Sequence, residues 1–483
     1  MDTQVVIVGA GPTGLALACA LRAAGVAVRV LDKADAPATT SRALGLQPRG
    51  VEVLDRLGAL GDLPETGLPI MRATINVDGR PLARLDIARA VRLRGPSGLI
   101  VSQACVEAAL RTRLAALGGT VEWSRPVVGL ISSPDAVAVR LGDGSEIAAG
   151  WVVGTDGAHS TVRKSLGIGF RGFPLIEGFL IADVHARIDR PRDGAHTWLR
   201  GDKTFAVFPL PGDDVWRLLA PAPGGSGELG REEIVGYLGS RLSEETGATI
   251  RSAEWTSTFR IQRRLADTYR VGRVLLAGDA AHIHSPLGGQ GMNTGLGDAE
   301  NLAWKLALVL SGRATERLLD TYQAERRPVA EDVLDTTSNT TRFVFDQNPP
   351  ARFLRDRVVV PLLNRPRVQR AIAERTSQLQ VSYRDGPLGA GVRRGLPGLR
   401  AGDRVADRAC VDAAGSPVRL FDALGPGWAL LGPAPLAVTA RERLGDVTAL
   451  RGGDEALLIR PDGHLAWRGT SAQSLCRWID GAL

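Results

Sequence analysis

The stretch that decides the fold is QVVIVGAGPTGLALACALRAAGVAVRVLDK, which spans residues 4–33. Its first apolar run, Val5–Val8, predicts a short buried strand, and a glycine-rich turn then leads into a helix that reaches to about Ala24. A second apolar run, Val26–Leu31, predicts a strand that ends in Asp32. A strand, a turn, a helix and a second strand with an acidic end are typical of a Rossmann-like unit that binds a dinucleotide.

The turn after the first strand has the spacing GxGxxG, and each glycine in it has a physical task. Gly9 makes the tight turn, Gly11 lets a pyrophosphate approach the backbone, and Gly14 lets the helix pack closely on the strand. Pro12 and Thr13 begin the helix, whose N-terminus presents the positive end of its dipole to that pyrophosphate. This turn is therefore predicted to bind the cofactor.

The acidic end of the second strand is predicted to lie where a ribose is bound. Asp32 follows Gly9 by 23 residues, near the spacing expected for a carboxylate that accepts the ribose hydroxyls. Lys33 has two interpretations, because it either lies near the adenosine or simply faces solvent. The pattern up to this point does not distinguish FAD from NAD.

The same segment is apolar enough to suggest a membrane span or a signal peptide, but its details argue against both. Arg22 and Gly25 interrupt the apolar run, in addition to the residues of the turn. Asp2 precedes the run, and there is no basic region of the kind that begins a signal peptide. We expect a cytoplasmic protein that does not enter a membrane.

The composition indicates a globular protein without a nucleic-acid footprint. The chain has 483 residues, 44% of them hydrophobic, and a formal net charge of +7. Its arginines are spread along the chain and alternate with acids, so we expect a solvated surface rather than nucleic-acid binding. The cysteines show neither a CxxC pair nor metal-ligand spacing, which predicts no metal site; they are Cys19, Cys105, Cys410 and Cys476.

A second segment has the character of a ligand-binding loop. The buried run Val274–Ala277 predicts a strand that ends in Gly278 and Asp279, an acid placed to accept from a polyol hydroxyl. The stretch GGQGMN, Gly288–Asn293, then puts three glycines before a helix, so that a flat ligand can lie against the backbone. A third segment, VGTDGAHSTVR at residues 153–163, contains an Asp-Gly turn and a serine expected to cap the next short helix.

Together these segments resemble those of a known family. GDAAH followed by PLGGQGMN, with the N-terminal fingerprint and DGxxSxVR, resembles the FAD-dependent aromatic hydroxylases, the single-component flavoprotein monooxygenases of the para-hydroxybenzoate hydroxylase type. The chain is most similar to the polyketide and phenol hydroxylase branch. The resemblance implies an α/β fold in which a Rossmann-like FAD-binding domain carries an inserted β-sheet substrate domain and a thioredoxin-like C-terminal domain.

The resemblance also assigns roles to individual residues. Arg42 resembles an arginine that reaches the FAD phosphates, Gln103 resembles a glutamine near the ribitol or ribose, and Asp156 would serve both FAD and the nicotinamide. The predicted cofactor-binding residues are Gly9, Gly11, Pro12, Thr13, Gly14, Asp32, Lys33, Arg42, Gln103, Asp156, Gly278, Asp279, Gly289, Gly291, Met292 and Asn293. The predicted catalytic positions, whose backbone would line the oxygen site, are Pro286, Gly288 and Gly289.

The chemistry implied by the resemblance begins with reduction of FAD by NADPH or NADH. Reduced flavin takes up O2 as a C4a-hydroperoxide and transfers the distal oxygen to an electron-rich carbon of an aromatic substrate. Hydroxylation and Baeyer–Villiger insertion both remain open, as do a biosynthetic and an antibiotic-inactivating role. Two other classes are a flavin dehydrogenase, which GGQGMN and the tail disfavour, and a flavoprotein that binds a labile intermediate without hydroxylating it.

The chain is expected to divide into four parts, and a homodimer is left open. The expected boundaries are 1–70, 100–175 and 268–335 for the FAD-binding domain, 71–99 and 176–267 for the middle domain, 336–384 for a helical connector, and 385–483 for the thioredoxin-like domain. Within the last part, the run PVRLFDALG is expected to be a strand.

Strand-like segments between residues 180 and 264 predict the middle sheet, which would cover a pocket for a large planar aromatic substrate. The candidate lining residues are Trp198, Phe205, Phe208 and Trp216. These aromatics have a second interpretation as ordinary core residues, which would apply to some or most of them. Arg217 and Arg260 are expected at the surface. A second GxGxxG match, at residues 225–230, follows no clean buried strand and is interpreted as a loop before a helix.

Overall fold

The computed structural model describes residues 2–40, 43–87, 95–200, 203–224, 229–285, 288–345, 348–389 and 398–483. The strands, numbered in chain order, are β1 (Thr3–Val8), β2 (Val28–Leu31), β3 (Gly45–Leu46), β4 (Leu68–Pro69), β5 (Arg72–Val77), β6 (Arg80–Asp86), β7 (Leu99–Ile100), β8 (Val121–Glu122), β9 (Val127–Ser132), β10 (Val137–Leu141), β11 (Glu146–Gly154), β12 (Phe170–Ala186), β13 (Gly194–Leu199), β14 (Phe205–Pro209), β15 (Val215–Pro221), β16 (Ile250–Ala266), β17 (Arg270–Val271), β18 (Val274–Leu276), β19 (His282–Ile283), β20 (Ala409–Val411), β21 (Pro417–Arg419), β22 (Trp428–Leu431), β23 (Val447–Leu450), β24 (Ala456–Ile459) and β25 (Leu465–Gly469).

The α-helices are numbered in the same way. They are α1 (Pro12–Ala23), α2 (Pro48–Arg56), α3 (Leu63–Thr66), α4 (Gln103–Ala116), α5 (Thr161–Ser165), α6 (Arg231–Thr246), α7 (Gly291–Leu310), α8 (Arg317–Phe345), α9 (Pro349–Leu354), α10 (Val360–Leu362), α11 (Pro366–Thr376), α12 (Leu420–Leu424), α13 (Ala434–Leu444) and α14 (Ala472–Ala482). No helix among the described residues is long and apolar enough to cross a bilayer.

The first large sheet is built on the N-terminal segment. Its main path runs β17-β18-β11-β1-β2-β8, and β1 pairs in parallel with both β11 and β2. Buried on both faces, β1 shows the continuous apolar pattern of a central parallel strand. The second strand begins at Val28 rather than Val26, because Gly25 turns the chain with a φ of +79° and the Val26 amide donates to Leu21. The predicted Rossmann-like α/β class is confirmed.

The second large sheet is the inserted sheet that the sequence predicts. Its order is β19-β16-β12-β15-β14-β13-β5-β6, and β12 and β16 are long antiparallel partners of 17 residues each. One face packs on α6, where Ile234, Leu238 and Leu242 join a core with the strands. The opposite face is turned toward the first sheet and lines a cavity.

The C-terminal region forms a four-stranded sheet of order β23-β22-β24-β25, with β22 and β23 parallel and the other pairs antiparallel. The expected strand in PVRLFDALG was wrong beyond Arg419, because Leu420–Leu424 is a helix. Leu420, Phe421 and Leu424 are buried at helical spacing, and this packing overrides the β-like appearance of the run.

Prolines of the helical connector and the second GxGxxG match both lie at or next to helix starts. Helices α9 and α11 begin at Pro349 and Pro366, and a π-helical turn at Arg355–Val359 runs directly into α10, which contains Pro361. Residues 225–228 of the second glycine match lie outside the described residues, and Gly230 directly precedes α6.

Candidate functional site

A cavity of about 1810 Å³ lies between the carboxyl ends of the parallel strands and the inner face of the second sheet. Gly11 follows β1, Thr155 follows β11 and Asp279 follows β18, and all three line this cavity. In open α/β sheets the carboxyl ends of the strands are where ligands bind. The three motifs singled out in the sequence therefore converge on one place.

The N-terminal turn is shaped by close backbone approaches. Gly9 has a φ of +107°, and a Cβ atom there would collide with the backbone of Thr155. A Cβ on Gly14 would strike the Gly9 carbonyl oxygen, so α1 can pack this tightly only with glycine at that position. Gly11 has open space where a side chain would be, and it lines the cavity with Pro12 and Thr13.

The acid after β2 holds the turn together. One oxygen of Asp32 accepts from the Ala10 amide at 2.7 Å, and the other accepts from the Ala34 amide at 2.8 Å. Lys33 is exposed and does not line the cavity. Contact of Asp32 with a ribose stays a prediction, although each carboxylate oxygen can accept a second hydrogen bond.

The Asp-Gly turn caps α5 from two sides. Asp156 Oδ2 accepts from the amides of Thr161 (2.6 Å) and Val162 (3.2 Å), and Ser160 Oγ accepts from the Arg163 amide at 2.9 Å. The expected serine cap is therefore present. Asp156 Oδ1 is buried and has no hydrogen-bond partner among the described residues, which indicates that it can accept from a bound ligand.

The turn after β18 is supported from behind by one carboxylate. Asp298, fully buried on α7, accepts from the Gly278 amide at 3.0 Å, from His282 Nε2 at 2.7 Å and from Arg326 Nε at 2.7 Å. Although burial opposes ionisation, His282 and Arg326 hold the pKa of Asp298 below its usual value. Asp279 is open to the cavity yet surrounded by protein, and this desolvation raises the pKa of its carboxyl.

The GGQGMN turn lines the cavity with backbone. Gly288 and Gly289 have φ values of +89° and +60°, and both lie on the cavity wall with Gly291 and Met292. Asn293 does not line the cavity, because its buried side chain ties this turn to β3. Its Oδ1 accepts from the Gln47 amide at 2.8 Å, and its Nδ2 donates to Gly45 and Gly289 at 3.0 and 2.7 Å.

Three further sequence predictions concern residues around this turn. Gln103 begins α4, lines the cavity and donates to Glu107 at 2.8 Å. Arg42 and Pro286 lie outside the described residues, so their roles remain predictions.

The predicted aromatic lining was wrong at three of four positions. Trp198, Phe205 and Trp216 are buried on the opposite face of the second sheet, in the core with α6. Their chain neighbours Thr197, Ala206 and Arg217 line the cavity instead, because successive side chains of a strand point to opposite faces. Phe208 does lie on the cavity face.

The sequence reasoning missed other aromatic residues that form the cavity wall. Phe179 on β12 lies 5.6 Å from Phe259 on β16 and 5.7 Å from Phe345 at the end of α8, between ring centroids, and all three line the cavity. Along β12, Leu180 and Ala182 point into the core with α6, and Phe179, one residue before Leu180, points to the cavity. This period of two is the sequence signal that marks the cavity face.

Arg217 is the second correction, because it is buried rather than at the surface. Its guanidinium makes a two-point contact with Asp183, at 2.7 and 2.8 Å, and lies 5.7 Å above the Trp255 ring. Arg260 is exposed, as expected, but it also lines the cavity.

The electrostatics and shape of the wall fit a flavin dinucleotide. The cations that line the cavity are Arg72, Arg163, Lys164, Arg217, Arg231, Arg260 and Arg264. Asp279 is the only acid among the described lining residues. An excess of cations suits a pyrophosphate, and the glycine wall at Gly288 and Gly289 leaves room for a flat ring. The described residues hold no cluster of side chains that could bind a metal ion.

The Rossmann-like sheet faces the second sheet across a cavity lined by basic side chains and glycines. This arrangement defines the class of the protein as a flavoprotein. The chain belongs to the FAD binding domain family, whose profile matches residues 2–337. It is 38% identical to 6-methylpretetramide 4-monooxygenase of Streptomyces rimosus, over 96% of this chain and 90% of the relative. It is 36% identical to rifampicin monooxygenase of Streptomyces venezuelae, over 98% and 97%.

Among solved structures, the anhydrotetracycline hydroxylase OxyS of Streptomyces rimosus superimposes with a TM-score of 0.81. The two chains are 34% identical, and the match covers 100% of this chain and 99% of OxyS. The protein is an FAD-dependent aromatic monooxygenase.

Proposed function

We propose that this enzyme hydroxylates a large planar phenol of the polyketide type, with NADPH or NADH as the electron donor and O2 as the oxygen source. The observation that carries the proposal is the size and lining of the cavity. This cavity has to hold FAD and the substrate together, and at about 1810 Å³ it exceeds the roughly 300–1,000 Å³ typical of a pocket for one drug-sized ligand. The names of the 6-methylpretetramide and anhydrotetracycline enzymes support a polycyclic substrate.

FAD, when bound, supplies electron transfer from the nicotinamide and the activation of O2 for transfer to the substrate. The protein contributes binding, orientation and the exclusion of water. The rings of Phe179, Phe259 and Phe345 give an apolar wall that would keep water from the reacting oxygen, and a dry site limits loss of that oxygen as H2O2.

Arg217 is proposed to stabilise the negative charge that develops on a phenolic oxygen. Its guanidinium donates in two-point geometry to Asp183, which fixes its orientation at the cavity wall. His284 also lines the cavity, but burial lowers its pKa to about 4, so this side chain is neutral at pH 7 and a weak base. We therefore assign no base to the reaction.

The same chemistry can serve biosynthesis or the inactivation of an antibiotic, and one relative favours inactivation. A rifampicin monooxygenase lies among the similar proteins, so inactivation of an aromatic antibiotic is the alternative to biosynthesis. Both settings require a polycyclic aromatic substrate in this cavity.

The test is a ligand panel on the purified holoenzyme, with tricyclic and tetracyclic phenols beside para-hydroxybenzoate. We expect the polycyclic phenols to stimulate NADPH or NADH oxidation and to gain one atom of 18O from 18O2. Phe208→Leu should raise the apparent KM for such a substrate, whereas the matched control Phe205→Leu, on the opposite face, should not. Coupled turnover of para-hydroxybenzoate alone would contradict the proposal.

A further inference from the structure

The C-terminal region reaches the back of the FAD site through a buried chain of contacts. The turn between β24 and β25 packs on Tyr383, whose ring centroid lies 4.4 Å from that of His464. The Tyr383 amide also donates to Gly402 at 2.8 Å, and the backbones approach so closely there that a Cβ on Gly402 would collide with Tyr383. The C-terminal region thus determines where this tyrosine lies.

Tyr383 in turn contacts the arginine behind the flavin turn. Its hydroxyl oxygen accepts from Arg326 Nη1 at 2.9 Å, while Arg326 Nη2 donates to the Thr294 carbonyl at 2.9 Å. The third donor, Nε, is the one that contacts Asp298. Three contacts in three directions leave a guanidinium little freedom to rotate.

Asp298 completes the chain, because it holds the Gly278 amide. The next residue is Asp279, the single acid among the described residues that line the cavity. Tyr383, Arg326 and Asp298 are all nearly inaccessible to solvent, so each donor and acceptor here depends on its partner within the protein.

We propose that Tyr383 is a positioning residue for the FAD site, and that through Arg326 and Asp298 it couples docking of the C-terminal region to the geometry of the Gly278–Asp279 turn. The proposal assigns a function to the C-terminal region, which lacks the CxxC pair of a thioredoxin and contributes no described residue to the cavity wall. The inference requires bound FAD and not the proposed polycyclic substrate, so a failed ligand panel leaves it standing.

The first experiment removes one hydroxyl. Tyr383→Phe leaves the ring on His464 but takes the acceptor from Arg326 Nη1. We expect the Kd for FAD, measured by fluorescence on dilution of the holoenzyme, to rise about three- to tenfold. The visible circular dichroism of bound FAD should also change, since the turn that holds it is less well fixed.

A matched control is available in the same core. Tyr269 is buried and lies 6.2 Å from His282 between ring centroids, but its hydroxyl finds no hydrogen-bond partner in the described part of the chain. Tyr269→Phe should therefore leave the Kd for FAD and the dichroism unchanged. If both variants weaken FAD equally, the effect is a general response of the core and the proposal is wrong.

A double-mutant cycle tests the route of the coupling. If Tyr383 acts through the Gly278–Asp279 turn, Tyr383→Phe should change FAD affinity less than about twofold in the Asp279→Ala background. Additive effects would overturn the proposed route, and so would a wild-type Kd in the single Tyr383→Phe variant.

A measurement on the wild type covers the case in which Tyr383→Phe does not fold. Coupling is reciprocal, so FAD must strengthen docking of the C-terminal region. Hydrogen exchange of the Ala456–Gly469 hairpin should therefore slow when free FAD is added until the site is saturated. Equal exchange with and without added FAD would overturn the proposal.

Discussion

The cavity wall and the interface of the C-terminal region both contain several arginines, but the two regions differ in how many acidic side chains accompany them. At the interface, Arg460 donates two hydrogen bonds to Glu325, at 2.7 and 2.9 Å, and Lys305 donates to the same carboxylate at 2.8 Å. Asp462 contacts Arg460 as well, so cations and acids alternate. The cavity wall instead combines seven basic side chains with Asp279 as the only described acid.

The difference shows how to distinguish a structural charge from one that a ligand uses. Buried charges that are satisfied within the chain contribute to the native state, and removal of one partner leaves the other uncompensated. At the cavity wall Arg217 pairs with Asp183 and Arg72 with Asp193, yet basic side chains still outnumber acids among the described lining residues, and this excess favours an anionic ligand. Substitutions in the two regions should therefore separate stability from binding.

The largest effect is expected at Glu325, which is fully buried between Lys305 and Arg460. Glu325→Gln takes the contacting carboxylate from buried Lys305 and leaves Arg460 with Asp462, and it should lower the free energy of unfolding by about 3–5 kcal/mol. The measurement is the urea denaturation midpoint of the holoenzyme. Glu316→Gln, at an exposed acid paired with Arg270, is the control and should cost no more than about 1 kcal/mol.

The two faces of the second sheet give the next contrast. Trp198→Ala opens a void in the core against α6 and should destabilise the protein by about 3 kcal/mol. Phe208→Ala, on the cavity face, should mainly weaken substrate binding. Thermal unfolding and the apparent KM for a polycyclic phenol separate the two. A stable Trp198→Ala variant that loses only substrate affinity would reverse our assignment of the faces.

A smaller effect is expected at the acid of the cavity. Asp279→Ala should weaken FAD about tenfold to a hundredfold, or ~1.5–3 kcal/mol, if its carboxylate accepts from the flavin polyol. Apoprotein stability should stay close to that of the parent, because the Gly278 amide is held by Asp298 and not by Asp279. An apoprotein that unfolds would make Asp279 a structural turn residue.

The last effect concerns pH and is at most about 1.4 kcal/mol for each pH unit. Burial lowers the pKa of His284 from 6.5 to about 4, so between these values the unfolded chain binds a proton that the folded protein does not. Stability supplied by the neutral imidazole is fully present above pH 6.5 and falls by up to about 1.4 kcal/mol per pH unit toward pH 4. His284→Asn should flatten this acid slope by one proton. An unchanged slope would show that other groups cause it.

Local patterns explain how much of this could be predicted from the sequence. The Gly9–Gly14 turn and the Gly278–Asp279 turn are short segments whose conformation depends on their own glycines and flanking strands, and both lie where expected. The face of a strand depends on its register. The sequence does not show which face of β13 and β15 packs on α6, so Trp198 was assigned to the cavity and Arg217 to the surface.

The buried contacts that the sequence does not predict join residues that lie far apart in the chain. Arg49 donates to Glu300 and to the Asp462 carbonyl, both at 2.8 Å, although these partners lie 251 and 413 residues further along the chain. Nothing in the local sequence around Arg49 distinguishes it from the many exposed arginines of this basic chain. Its burial follows only from how distant elements dock.

That 413-residue separation has a consequence for the protein while it is being synthesised on the ribosome. At typical translation rates of about 5–20 residues per second, the ribosome needs about 20–80 s to deliver Asp462 after Arg49 has emerged. During this interval the nascent chain exposes cations and acids whose partners have not yet been made. We expect slower translation anywhere between these two positions to lengthen this exposure equally.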